Sequence, residues 1–195
     1  MNCLLLIGFQ NDYFSKTGKM HSFLKNRKDI ELLKTQTLAL IKALNDKFIV
    51  VTAPIGFDKT YSDLDEPYGI LKTINDQKAF LEGTNGFELI PELKEISKPI
   101  VKLKTRRTLN AFQHTDFYDI LQKNGVNNLY LTGIFTSLCI DSTARTAYEL
   151  GFNVHIIKDL IAGQNDFEND YYIQNILPLY SYITTAQDVL ENQNT

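Results

Sequence analysis

Short runs of apolar residues alternate along the chain with longer stretches in which apolar residues recur every three or four positions. The short runs are rich in β-branched residues, and this alternation predicts a parallel sheet with helices on both faces. We expect six strands, at residues 3–9, 47–53, 99–104, 127–133, 152–158 and 181–184. The pattern therefore predicts a three-layer α/β protein with a doubly wound, mainly parallel sheet.

Three of the longer stretches predict helices. The first, Asp29–Leu44, has apolar residues at the spacing of a helix face that packs against a core. These residues are Ile30, Leu33, Leu38, Ile41 and Leu44. The second, Asp116–Lys123, is followed by Asn124-Gly125, a pair that commonly ends helices. The third, Leu138–Leu150, is closed by a glycine.

The segment Pro54–Lys98 is the least regular part of the chain, because glycine and proline recur through it. It is longer than a simple crossover between two strands needs, so we expect it to form a wall or lid over a site. Gly8, Lys104 and the turn at Gly133 all fall near the carboxyl ends of predicted strands. Open α/β sheets bind their ligands at that edge.

Composition favours a globular protein and excludes several partners. The 195 residues are 44% hydrophobic, which is enough for one domain over residues 1–195 with a sizeable core. The net charge of −3 and the scattered basic residues argue against a nucleic-acid partner. No apolar run approaches the ~20 residues of a membrane span, and the N-terminus lacks the order of segments in a signal peptide. We therefore expect a cytoplasmic protein.

Cys139 is the strongest candidate for chemistry. Cys3 and Cys139 lie far apart without metal-type spacing, so neither a disulfide framework nor a zinc site is indicated. Cys139 follows a predicted strand and a glycine turn and would lie in the first turn of a helix, where free N–H groups and the helix dipole favour a thiolate. The alternative is a small buried hydrophobic residue.

Five segments carry a resemblance to a known family. Gly133–Phe152 reads GIFTSLCIDSTARTAYELGF and resembles the GxxTxxCxxxTAxxAxxxGF signature of the isochorismatase-like cysteine hydrolase superfamily. Leu5–Phe14 resembles its opening strand, an apolar run followed by D-x-Q-N-D-F. Glu82–Leu93 resembles its GTxGxEIxPEL segment, Asn110–Phe117 its S/N-A-F-x-x-T-x-L turn and Ile156–Ala162 its VxDAxA strand end. The matches keep the family's order.

The resemblance implies a triad in which a cysteine nucleophile works with an aspartate and a lysine. Cys139 matches the nucleophile, and Lys104 is our choice for the lysine because it ends the third strand. Lys102 is the alternative, and both lysines also fit solvated positions on an edge strand. Arg106 and Arg107 are expected to be solvated or to contact an acidic substrate, because guanidinium does not transfer protons.

The position implied for the aspartate is occupied by Gly8, which has no side chain. Asp12 is a possible substitute base, although it also fits a polar turn or helix-capping residue. General acid–base assistance supplies about 10²–10⁴-fold in rate, so we expect impaired or altered catalysis.

The resemblance also implies a non-proline cis peptide at Ile134–Phe135 and an oxyanion hole made by the amides of Phe135 and Cys139. Phe9, Phe112 and Phe135 are expected to wall a pocket for a small amide or enol ether, although aromatic residues in such segments also fit a core. Further aromatic residues near the expected site are Tyr13, Phe14 and Phe57.

Nicotinamidase-type relatives carry a D-x-H…H metal site after the second strand. The corresponding residues here, 52–59, contain no histidine, so we expect neither a metal nor another cofactor, and nicotinamide is not the expected substrate. His114 is expected at an exposed turn and His155 as a structural residue of a strand.

Three hypotheses follow. The first is a cysteine hydrolase that acts on a small molecule, the second a catalytically silent relative that binds a small molecule or serves as a subunit, and the third a thiol redox protein. The absence of a second cysteine near Cys139 makes the third the weakest. The resemblance further implies a homo-oligomer.

Overall fold

The computed structural model describes residues 1–25 and 27–193. Its strands are β1 Asn2–Ile7, β2 Phe48–Ala53, β3 Ile100–Lys102, β4 Asn128–Ile134, β5 Asn153–Ala162 and β6 Tyr182–Thr184. They form one sheet in the order β3-β2-β1-β4-β5-β6, and every neighbouring pair is parallel. The predicted strands and the doubly wound parallel sheet are confirmed.

The α-helices pack on both faces of this sheet. They are α1 Asn11–Phe14, α2 Arg27–Ala43, α3 Gly69–Gln77, α4 Phe117–Lys123, α5 Asp141–Glu149, α6 Asp166–Tyr171 and α7 Ala186–Asn192. Shorter 3₁₀ or π-type turns lie at His21–Phe23, Pro91–Glu95, Thr136–Ile140, Tyr172–Ile176 and Leu177–Leu179. No helix within the described ranges is both long and apolar enough to cross a membrane.

The core lies in two layers because β1 is central and buried on both faces. Leu4 and Leu6 point into the layer that contains the apolar face of α2. Cys3, Leu5 and Ile7 point into the opposite layer, which contains residues of α4 and α5. Successive side chains of a strand point to opposite faces, so one nearly continuous apolar run supplies both layers.

The segment 54–98 lies over the carboxyl end of β1 and is fastened there by Gln10. This buried side chain donates from Nε2 to the carbonyls of Ile55 and Phe87, at 2.8 Å each. Its Oε1 accepts the Ile55 N–H at 2.8 Å. The segment is thus a fixed wall of the region beyond β1, which is one of the two expected forms.

His155 lies on β5 in a stack of aromatic rings. Its ring centroid is 4.4 Å from that of Tyr130 and 5.1 Å from that of Tyr182. Burial lowers the pKa of His155, because the charged imidazolium loses its hydration. These contacts agree with the structural role expected from the sequence.

Candidate active site

The site lies where β1 and β4 end side by side. Ile7 of β1 pairs with Gly133 of β4, and the sheet continues in opposite directions from this pair of strands. Such a point of reversal is where open α/β sheets form ligand-binding crevices. Gly8 follows β1 directly, and the predicted cis peptide between Ile134 and Phe135 is present after β4.

Cys139 lies in the π-type turn Thr136–Ile140, which runs directly into α5. The Phe135 carbonyl accepts the N–H groups of Leu138 at 3.2 Å and of Ile140 at 3.0 Å, the two neighbours of the cysteine. The Cys139 side chain is only 1% exposed. The predicted placement of Cys139 in the first turn of a helix is confirmed, and its sulfur is covered by protein.

The charged group at the sulfur is Arg106. Its Nη1 lies 3.6 Å from Cys139 Sγ. The guanidinium is fully buried and is held by backbone carbonyls: Nε donates to Ala53 at 3.1 Å, and Nη1 donates to Leu109 at 3.0 Å and to Thr108. Its Nη2 is buried without a hydrogen-bond partner. No carboxylate of the described residues forms an ion pair with Arg106.

Neither lysine considered for the triad lies at Cys139. β3 ends at Lys102, whose ammonium lies over the Phe87 ring at 5.0 Å, and the Lys104 side chain is exposed. The expectation of a solvated Arg106 was wrong. Three backbone carbonyls accept hydrogen bonds from its guanidinium inside the protein and so replace part of the water that solvation would supply. The neighbouring Arg107 is half-buried and forms ion pairs with Asp63 and Glu82 of the wall segment 54–98.

Gly8 leaves little room for a side chain in this backbone. Its φ is +77°, and a Cβ added there would lie 3.0 Å from the Ile134 carbonyl oxygen and 3.3 Å from Tyr13 Cε2. A non-glycine residue with such a φ is strained. Both the backbone conformation at position 8 and the atoms around it therefore favour glycine over a residue with a carboxylate.

We expect Gly8→Ala to lower the free energy of unfolding by about 1–2 kcal/mol, from backbone strain alone, with a further loss from the close contacts. Gly8→Asp should lose at least as much. Gly69→Ala is the matched control, since Gly69 has φ +57° with no atom within 4 Å of the added Cβ. Denaturant unfolding measures all three. Equal losses at Gly8 and Gly69 would mean that the contacts at Gly8 are unimportant.

The carboxylate of Asp12, the candidate substitute base, accepts hydrogen bonds from the backbone. Its carboxylate is buried, with Oδ2 accepting the Phe80 N–H at 2.6 Å and Oδ1 the Lys19 N–H at 3.1 Å. No hydrogen bond joins it to Cys139 in the described structure. These contacts fit the alternative of a polar turn residue.

Of the three expected pocket aromatics, Phe135 alone lines a cavity beside the cysteine turn. That cavity, of about 280 Å³, is also lined by Ser137, Leu138 and Glu168, and not by the Cys139 sulfur. The other two belong to the core. Phe9 stacks on Phe14 at 5.1 Å, and Phe112 packs on Phe117 and Phe152 at 4.7 and 6.2 Å.

Tyr13 was expected from the sequence only as an aromatic residue near the site. It is 2% exposed and its ring packs against Phe80 at 4.7 Å and edge-on against Phe135 at 5.5 Å. Burial raises the pKa of the Tyr13 phenol, and negative charge on Cys139 raises it further, whereas Arg106 lowers it. Its position directly after the Gln10-Asn11-Asp12 part of the opening motif was the available signal.

Among the described residues, no group of three or more histidine, cysteine, aspartate and glutamate side chains lies close enough to hold a metal ion. His114 is exposed, as expected. Cys3 and Cys139 are both free and buried. Burial raises the pKa of Cys3, so this second thiol is a poor nucleophile.

Comparisons with known proteins agree with this fold. A family model described as the isochorismatase domain matches residues 2–188. An isochorismatase-like hydrolase from Alkaliphilus metalliredigens has a TM-score of 0.75 to this chain at 20% identity, with 97% of each chain covered. The chain belongs to the isochorismatase family.

Curated relatives match more locally. An uncharacterized isochorismatase family protein of Escherichia coli O157:H7 is 32% identical over 85 residues, which cover 44% of this chain and 45% of that protein. Nicotinamidase 3 of Arabidopsis thaliana is 26% identical over 133 residues, 68% of this chain and 67% of that protein. The match to the first of these thus spans less than half of the relative's length.

Proposed function

We propose that this protein is a cysteine hydrolase that cleaves a small-molecule amide or enol-ether bond through a Cys139 thiolate paired with Arg106. The observation that carries the proposal is the fully buried guanidinium, which lies 3.6 Å from the sulfur and has no carboxylate partner among residues 1–25 and 27–193. The name of the matched nicotinamidase is that of an amide hydrolase, which supports the amide as the bond attacked.

A buried charge is costly unless an opposite charge or a full set of hydrogen bonds balances it. The carbonyls of Ala53, Thr108 and Leu109 are dipoles without net charge, and Nη2 of Arg106 has no partner. A thiolate at Cys139 would supply the missing negative charge. Thiolates are favoured beside arginine and at helix N-termini, and both features occur here.

In the proposed reaction, the thiolate attacks the substrate carbonyl carbon and the resulting oxyanion accepts hydrogen bonds from the amides of Phe135 and Cys139. Water then hydrolyses the thioester. Arg106 stabilises charge but does not transfer protons, so it replaces only the lysine of the implied triad. Since Gly8 supplies no carboxylate, we expect slower turnover than in relatives that have one.

Substrate access requires movement, because Cys139 is 1% exposed. The cavity lined by Phe135, Ser137 and Leu138 is the proposed entry, since these residues belong to or adjoin the turn that carries the sulfur. Displacement of the Leu138 side chain, which precedes Cys139, would bring the cavity to the thiolate. A small, partly apolar substrate fits these lining residues.

The second candidate function is a catalytically silent relative. The observation that favours it is the closed packing at Gly8, where Tyr13 and Ile134 lie in the space that a carboxylate would need. In that case Cys139 is a buried residue of the fold, and the protein acts by binding a small molecule or as a subunit.

A screen of small amides, ureido compounds and enol ethers separates the two. The proposal predicts turnover by the wild-type protein and by Cys3→Ala, and none by Cys139→Ala. Cys3→Ala is the matched control because it removes the other buried cysteine of the same core layer. Equal turnover in wild type and Cys139→Ala would contradict the proposal, and no turnover together with an unreactive Cys139 would support the silent relative.

A further inference from the structure

The hydroxyl group of Tyr13 stands close to the place where the carboxylate is missing. In the opening motif D-x-Q-N-D-F, Gly8 takes the position of the first aspartate and Tyr13 that of the phenylalanine. The chain thus lacks one functional group at the end of β1 and has an additional one five residues later. Both positions belong to the same stretch, in which the chain leaves β1 and enters α1.

The geometry brings these two positions together. Tyr13 Cε2 lies 3.3 Å from the Cβ that a side chain at Gly8 would have. Cε2 is bonded to the ring carbon that carries the hydroxyl, so the hydroxyl is two covalent bonds from this contact. The same ring packs edge-on against Phe135, whose carbonyl accepts the N–H groups on either side of Cys139.

The hydroxyl is not used elsewhere. Other buried tyrosine hydroxyls in this protein donate to protein acceptors: that of Tyr61 donates to the Ala79 carbonyl at 2.6 Å, and that of Tyr180 donates to Asp141. The Tyr13 hydroxyl forms no hydrogen bond with any residue of the described ranges. A hydroxyl group can both donate and accept, so one without a protein partner is available to a ligand.

We propose that Tyr13 is the proton donor to the leaving atom of the substrate, in place of the carboxylic acid that the family resemblance implies at position 8. This inference rests on the proposed hydrolase function and deepens it. Gly8 and Tyr13 are then a paired change: the glycine makes room for the ring, and the ring brings the hydroxyl to the reacting bond.

The protons balance without a carboxylate. In acylation, Cys139 sulfur bonds to the carbonyl carbon, the carbon–nitrogen bond breaks, and the nitrogen leaves with its electron pair and the Tyr13 proton. In deacylation, water adds to the same carbon, the carbon–sulfur bond breaks, and the sulfur leaves as a thiolate. Tyr13 regains a proton from that water, and the product is a carboxylic acid.

The charges around Tyr13 agree with this cycle. Burial raises the pKa of the Tyr13 phenol, and negative charge on Cys139 and Asp12 raises it further, so the phenol holds its proton at neutral pH. Arg106 opposes that shift and would stabilise the phenolate after proton transfer. Tyr13 can therefore donate a proton at neutral pH but not take one from the resting thiol, which is why the thiolate must come from the pair with Arg106.

The test compares leaving groups. A p-nitrophenyl ester expels a stable phenolate that needs no proton, whereas the corresponding p-nitroanilide needs one at nitrogen. With the Cys139→Ala rate subtracted, Tyr13→Phe should lower kcat for the anilide by about tenfold or more and change the ester rate by less than about twofold. Tyr61→Phe removes a phenol hydroxyl from the neighbouring wall and should leave the ratio of the two rates unchanged.

Each other outcome contradicts the inference. Equal losses with both probes in Tyr13→Phe would indicate a structural role, and no loss with either would mean that the hydroxyl is unused. Wild-type turnover of the ester alone would mean that no proton donor serves the leaving nitrogen, while the proposed nucleophile would stand. Absence of Cys139-dependent turnover with both probes would remove the proposed function as well.

Discussion

Arg106→Met is expected to slow alkylation of Cys139 by iodoacetamide at pH 7 by at least about tenfold. Two unit charges 4 Å apart interact by about 4 kcal/mol at an effective dielectric constant of 20, and about 1.4 kcal/mol is enough for a factor of ten. The observed separation of Nη1 and Sγ is 3.6 Å. Loss of the cation should therefore remove a large part of the stabilisation of the thiolate, which is the form that iodoacetamide alkylates.

Three controls make this result specific. Arg107→Met removes the adjacent arginine, whose partners are Asp63 and Glu82, and should leave alkylation unchanged. Arg106→Lys keeps the positive charge and should retain more reactivity than Arg106→Met. A Cys3→Ala background ensures that the label reports Cys139, and circular dichroism verifies folding. Folded Arg106→Met that reacts as fast as the wild type would disprove the thiolate–arginine pair.

The fold could be predicted closely because its signals are local. The apolar run 3–7 is buried on both faces of the sheet, as runs of this kind are in parallel sheets. The ends of strands were less accurate. β1 stops at Ile7 because Gly8 turns the chain with a positive φ, and β3 stops at Lys102, before the exposed Lys104.

The site could be predicted only in part, for a physical reason. Cys139 and the cis peptide belong to one contiguous motif, so a resemblance over that motif places both. The environment of Arg106 comes from Ala53 at the end of β2 and from Thr108 and Leu109 in a loop. No local pattern encodes such a set of distant carbonyls, and charged residues are by default expected in solvent.

The role of Asp12 also depends on contacts with distant residues, so sequence alone leaves open a catalytic and a structural role. Asp12→Ala is expected to lower the free energy of unfolding by about 3–6 kcal/mol, because two N–H groups, one buried and one part-buried, would each lose a charge-assisted hydrogen bond of about 1.5–3 kcal/mol. These donors are the backbone N–H groups of Lys19 and Phe80. Asp12→Asn should lose less, since the amide keeps one acceptor oxygen.

Asp58→Ala is the matched control for Asp12, because this carboxylate also accepts loop hydrogen bonds, from Thr60 and Ser62, but at the surface. Denaturant unfolding should give it a much smaller loss than Asp12→Ala, because surface hydrogen bonds compete with water. The second measurement is Cys139 alkylation per folded molecule, which should stay the same in Asp12→Asn. A base that activates the thiol would give the opposite pattern, with nearly full stability and a large loss of Cys139 reactivity, and would restore Asp12 as the substitute for the missing carboxylate.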